Sequence, residues 1–275
     1  MNIVGLGHSA CEITRNFENY QQYSTFFINS ENRDYPTFLS VKKQNSHEDY
    51  EKKYKKVDLS RCKGKTTLIV NGSGDISGCA LRILEQLKDN QVTVLYIRAD
   101  EANVGPEAET KDRITLGVLQ QYARSGLLER IYLVSNKKVE QVMEEISLKN
   151  YWQDINNIIS STYHMLNVFH NTEPLLKSLS EPGQTSRIAT FGVASFNMEK
   201  EKLFYDLQYP RVKNYFFGVN EETLGEDREL LTRIRTFVSA RSNEDTRSGF
   251  SIFSTNYAQN YIYSTHYASY TQQEK

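Results

Sequence analysis

Cysteine is scarce in this 275-residue chain, and the three present, Cys11, Cys62 and Cys79, are odd in number and lack metal-ligand spacing. A disulfide framework is therefore excluded, and reduced thiols in a cytoplasmic protein are expected. The five histidines are scattered without an H-E-x-x-H pattern, so no zinc site is expected. No apolar run approaches the roughly 20 residues of a membrane-spanning helix. The opening "MNIVGLG" lacks the charged-then-apolar pattern of a signal peptide. An excess of one charge is missing as well: 33 Lys and Arg face 34 Asp and Glu. That balance removes the electrostatic case for a nucleic-acid or anionic-membrane partner. Apolar residues make up 39%, enough for one large core or two modest ones.

What is present is alternation. "NIVGLG", "STFFINSE", "TTLIVNG", "QVTVLYIR" and "RIYLVSN" read as buried strands, separated by segments of helical periodicity. "ACEITRNFENY" follows the first strand. Ala80, Leu81, Ile83, Leu84 and Leu87 follow the third. The stretch 107–128 presents Ile114, Val118, Leu119 and Tyr122 on one side, and "KKVEQVMEEI" follows the fifth strand. Strands alternating with helices predict a mostly parallel sheet covered on both faces. Residues 32–65 break the pattern. They are polar and lysine-rich, and Glu48, Asp49, Glu51 and Asp58 dilute the basic charge, so they read as a solvated insertion with a short helix. A long helix is expected over 150–171, with Trp152, Ile155, Ile158, Ile159, Tyr163, Leu166 and Phe169 at helical spacing. "SLSEPGQTS" has linker composition. Beyond it, "RIATFGVAS" and "NYFFGVN" read as strands, "EDRELLTRIRTFVSA" as a helix, and "GFSIFST" with "NYIYSTHYA" as a closing antiparallel pair.

Two glycine-rich turns stand at the ends of strands. Gly5-Leu6-Gly7-His8-Ser9-Ala10 fits G-x-G-x-x-A between a strand and a helix, where backbone N–H groups and the helix dipole favour a phosphate. With Glu31 at the end of the second strand as a ribose partner, this turn is consistent with an NAD-binding Rossmann-type protein. The second turn, Gly72-Ser73-Gly74-Asp75-Ile76-Ser77-Gly78, is unexpected in a dinucleotide fold. If the first and third strands are neighbours, both turns face one edge and surround a polyphosphate from two sides.

The order of these pieces resembles the tubulin/FtsZ superfamily over residues 1–170, and more loosely to 270. "GHSACEI" falls where tubulin has G-Q-C-G-N-Q-I, and "GSGDISG" where the family has G-G-G-T-G-S-G. Asn136 stands at a nucleoside-contacting asparagine. "WQDINNIIS" is similar to Y-G-D-L-N-H-L-V-S, which implies that Trp152 stacks on guanine and Asn156 bonds its edge. Ordinary helix packing is the other reading of Trp152. The resemblance implies a Rossmann-like nucleotide-binding domain over 1–149, a central helix over 150–171, and a smaller mixed α/β domain over 185–270. It further implies GTP or GDP, Mg2+, and head-to-tail self-association or membership of a larger assembly. Gly5, Gly7, His8 and Ser9 of the first turn, and Gly72, Ser73, Gly74, Asp75, Ser77 and Gly78 of the second, would then line the phosphates.

The departures point to weak or vestigial binding and at most weak GTPase activity. Ser73, Asp75 and Ile76 replace Gly, Thr and Gly of the signature. A carboxylate near phosphate repels it unless an ion intervenes. The family's acidic loop after the central helix corresponds to "HNTEPLLKSLSEPG", where Glu173 is the single catalytic candidate and is followed by Pro174 and Lys177. A structural assembly protein without nucleotide, on the same fold, is the alternative.

Overall fold

The computed structural model describes residues 1–98, 104–143 and 148–271. In chain order the first half comprises β1 (Asn2–Leu6), α1 (His8–Arg15), β2 (Ser24–Asn29), β3 (Phe38–Ser40), α2 (His47–Lys52), β4 (Lys65–Asn71), α3 (Ala80–Gln86), β5 (Gln91–Arg98), α4 (Pro106–Arg124), β6 (Arg130–Ser135) and α5 (Asn136–Glu140). The rest comprises α6 (Tyr151–His170), β7 (Leu176–Ser178), β8 (Ile188–Ala194), β9 (Glu201–Leu203), β10 (Val212–Asn220), α7 (Glu221–Glu226), α8 (Leu230–Ser239), β11 (Arg247–Thr255) and β12 (Tyr261–Ala268).

One sheet runs through the molecule in the order β3-β2-β1-β4-β5-β6-β8-β12-β10-β11-β7, with β9 beside β8. The first six strands of that order are mutually parallel. Each of β1, β4, β5 and β6 is an apolar run with little exposed surface, as a strand covered on both faces requires. On one face Val4, Leu6, Leu68, Val70, Val94 and Tyr96 pack under α2, α3 and α4. On the other, Ile3, Ile69 and Leu95 meet Ile13 of α1 and Ile155, Ile159 and Tyr163 of α6. The long helix continues over the second half, where Phe169 packs on Phe216 and Phe253 at centroid distances of 5.8 and 4.6 Å. The α8 helix covers the opposite face through Ile234 and Phe237, against Tyr215 and Phe217.

The structure corrects three expectations. Residues 32–65 are not a solvated insertion: Tyr35, Val41, Tyr50, Leu59 and Cys62 are buried, β3 extends the parallel sheet, and α2 packs on the β4–α3 connection. The apolar side of α4 expected from Ile114, Val118, Leu119 and Tyr122 is rotated: Leu119 is buried and Val118 and Tyr122 are half-buried. Ile114 is 55% exposed, whereas Asp112, Thr115, Leu116, Leu119 and Ala123 face the core. Finally, β11 and β12 are not paired with each other. The apolar strand β10 lies between them, parallel to β11 and antiparallel to β12. The connection 256–260 crosses the end of β10, where Asn260 Oδ1 accepts from the Asn220 backbone at 2.7 Å. Of the helix expected over 137–146, residues 144–146 lie outside the described residues.

Candidate functional site

The two glycine-rich turns meet. β1 and β4 are adjacent and in register, Leu6 opposite Val70, so both strands end at the same edge of the sheet. The chain leaves β1 through Gly7, whose φ of 86° is the left-handed conformation that glycine adopts without strain. Its N–H donates to Ile28 O at 2.9 Å, and it caps α1 without a side-chain hydrogen bond. The first-turn N–H groups of α1, from His8 onward, are therefore aimed past the helix end. A Cβ at Gly7 would come within 2.6 Å of Ile76 Cγ2, so the methyl group of the second loop lies against the backbone of the first. Gly5 serves the helix instead: Thr14 and the Ala10 carbonyl occupy the space a side chain would need. Beneath the turn, burial pushes the Cys11 thiol up to about 12, which makes it a packing group rather than a nucleophile.

The second loop is a short 3-10 turn, Asp75–Cys79, ahead of α3. Ser73 folds back, its hydroxyl donating to Asn71 Oδ1 at 2.6 Å, and the buried Ser77 hydroxyl donates to Gly72 O at 3.3 Å. Gly74 has open space around it. Gly72 is confined by the Tyr96 hydroxyl and the Asp112 carboxylate, and Gly78 by the His47 carbonyl of α2. Asp75 has a partner. Lys111 Nζ of α4 is 2.6 Å from Asp75 Oδ1 and 2.6 Å from Glu107 Oε1, and these carboxylates raise the lysine pKa and keep it charged. The ion that the carboxylate needs is thus supplied by the chain itself. One residue along, the buried Asp112 accepts from Arg98 Nε at 2.7 Å, and Arg98 also reaches the Tyr205 hydroxyl at 3.1 Å. Neighbouring positions of α4 therefore brace both the charge and the backbone of the loop.

The remaining nucleotide-site candidates occupy the same edge, and Glu173 does not. Asn136 is the first residue of α5, directly after β6, and is half-buried. α6 runs back across the sheet from this edge, and the Tyr151 hydroxyl ties its first turn to Glu140 of α5 at 3.0 Å. Trp152 is 63% exposed, which removes the reading as a core residue; its indole meets the Tyr151 ring edge to face, with centroids 4.9 Å apart. Asn156, one turn on, is half-buried. His8 is exposed beside Arg33, whose Nη1 donates to His8 Nε2 at 3.3 Å. Ser9 is half-buried at the start of α1. Glu31 is exposed and pairs with Lys43 at 3.4 Å. Glu173 lies exposed after the far end of α6, and the chain then forms β7 against β11, carrying Leu176 and Lys177 in the edge strand.

Sequence reasoning missed Lys111, Asp112 and Arg98. Their signal was present in "TKDR", where Asp112 shares the helical face of Leu116, Leu119 and Ala123, an unusual place for a lone carboxylate. Among the described residues no group of three or more His, Cys, Asp or Glu side chains is arranged to hold a metal ion, and no helix is long and apolar enough to cross a membrane.

No family model matches the chain, and no curated protein sequence matches it. Solved structures do. FtsZ of M. jannaschii superposes with a TM-score of 0.66 at 14% identity, covering 97% of this chain and 87% of that one. TubZ of Bacillus thuringiensis serovar israelensis, in GDP-form protofilaments, gives 0.70 at 13%, covering 98% and 84%. CetZ2 of Haloferax volcanii, in a GTPγS-bound protofilament, gives 0.69 at 13%, covering 97% and 92%. Identities this low speak to architecture, and the architecture agrees over nearly the whole chain: this protein has the tubulin/FtsZ-like fold.

Proposed function

We propose that the protein binds a guanine nucleotide weakly between its two glycine-rich turns and associates end to end with copies of itself, with little or no GTP hydrolysis. The observation that carries this reading is the apposition of the turns: Gly7, with its positive φ, faces the loop of Gly72–Gly78 at the carboxyl edge of neighbouring parallel strands. Such an edge, with a helix N-terminus behind it, favours phosphate. The exposed Trp152 and the half-buried Asn136 and Asn156 supply a stacking face and amides for a base. Solved proteins of this fold are described with GDP or GTPγS and as protofilaments. Weakness follows from Ile76, whose methyl lies on Gly7 where a glycine would leave room. Slow turnover follows from the segment after α6, which keeps Glu173 but continues into an edge strand bearing Lys177.

Trp152 is the single tryptophan of the chain, so its fluorescence reports on the site directly. Stacking on guanine is expected to quench it saturably with GDP or GTP and not with ATP. Trp152→Ala is expected to cost roughly 1–3 kcal/mol of affinity by calorimetry, the scale of base–aromatic stacking. Unchanged fluorescence and no heat of binding with either guanine nucleotide would refute the nucleotide reading and leave the structural assembly protein.

A further inference from the structure

The phosphate loop carries a carboxylate that in other settings would recruit a metal. Here that carboxylate is engaged. Lys111 Nζ stands 2.6 Å from Asp75 Oδ1 and 2.6 Å from Glu107 Oε1, and its side chain is only 17% exposed. An ammonium held between two carboxylates occupies the place of a cation. The loop hydroxyls do not complete a metal shell: Ser73 donates to Asn71, and Ser77 donates to Gly72 O from a buried position. Among the described residues the donor set therefore does not fit Mg2+, which needs several oxygen ligands in near-octahedral order. Thr115 Oγ1 behind the loop contacts His47 at 3.1 Å.

We infer that Lys111 is the built-in counter-cation of this loop, and that phosphate groups are held there without a divalent metal. The inference rests on the nucleotide reading above and narrows it. Two carboxylates already share the one ammonium, so the cluster stays net negative with no spare positive charge for an added phosphate, and the ligand class is a nucleoside diphosphate in preference to a triphosphate. Lys111 offsets the repulsion between Asp75 and the phosphates, and the α4 backbone fixes it in position.

The test compares GDP binding by calorimetry to wild-type protein in Mg2+ and in EDTA. The affinities are expected to agree within about twofold. Lys111→Met exposes Asp75 to the phosphates and should weaken GDP binding in EDTA by about tenfold or more, whereas Lys111→Arg, which keeps the charge, should lose much less. A second readout needs no nucleotide. Mn2+ titrated alone and followed by electron paramagnetic resonance should show no site at Asp75 in the wild type, and Lys111→Met should gain one that Asp75→Asn removes. A metal requirement for GDP binding, or an Asp75-dependent Mn2+ site in the wild type, overturns this inference and leaves the nucleotide reading standing. Absence of GDP and GTP binding in both conditions overturns the two together.

Discussion

Lys111 and Asp112 show how adjacent side chains on one helix can do separate jobs. Lys111 meets the charge of the second loop, and Asp112 with Arg98 sits against its backbone. The Arg98–Asp112 pair has side chains 11% and 1% exposed, so removing one partner leaves a charge that water cannot reach. Asp112→Ala is expected to destabilise the protein by about 3–5 kcal/mol, read from the urea midpoint. Gly7→Ala meets two obstacles at once, a φ of 86° and the Ile76 methyl. It should cost about 1–3 kcal/mol in the same measurement. Ile76→Gly acts oppositely on the two properties: it gives up packing and opens the space above Gly7. Its urea midpoint should fall while its GDP affinity rises, and a variant that loses both would show that Ile76 shapes the site rather than narrowing it.

At the scale of elements, the strands of the first half were legible because each is a short apolar run closed by polar residues. "QVTVLYIR" coincides with β5, residue for residue. Residues 32–65 were not legible, because Tyr35, Val41, Tyr50, Leu59 and Cys62 are single apolar residues spaced too irregularly for either period. Each reaches the core through a different local bend. The two turns could be found from their glycines, but the 75–111 ion pair could not, since it joins residues that no local pattern relates. The buried Tyr50 gives this a measurable form. Tyr50→Ala should cost about 3–5 kcal/mol, as large aromatic truncations do, and hydrogen exchange should show the Asp75–Cys79 amides losing protection as α2 loosens. Two helices also carry histidines whose pKa burial lowers from 6.5: His47 of α2, and His164 and His170 of α6, with His164 stacked on Tyr20 at 3.7 Å. Folded, they stay neutral to lower pH than in the unfolded chain. Stability is therefore complete above about 6.5 and falls as acid protonates the unfolded chain first. Melting temperature should drop as the pH falls below about 6.5, and His164→Asn should flatten that slope.

The whole molecule has two unlike ends. One edge of the sheet carries the glycine turns; the other carries the Met1 ammonium, Lys63 and Lys65 around Asn167 and Asn171, with Glu173 nearby. Two different ends stacked head to tail propagate rather than close. Assembly should therefore appear by sedimentation or electron microscopy as concentration rises, and a single monomeric species throughout would count against it. Cations at the second end are poorly suited to positioning a nucleophilic water, so phosphate release from GTP should stay near background; brisk turnover would contradict that. The order of strands has a further consequence for synthesis. β12 is the strand that joins β8 to β10, so the halves of the sheet are united by residues 261–268, which are made after every other described strand. Until those residues leave the ribosome, β8 and β10 each present an unpaired edge, the kind of surface that recruits other chains. A nascent chain stalled before Tyr261 would hold two sheets in place of one. It would depend on chaperones at that moment more than at any earlier one.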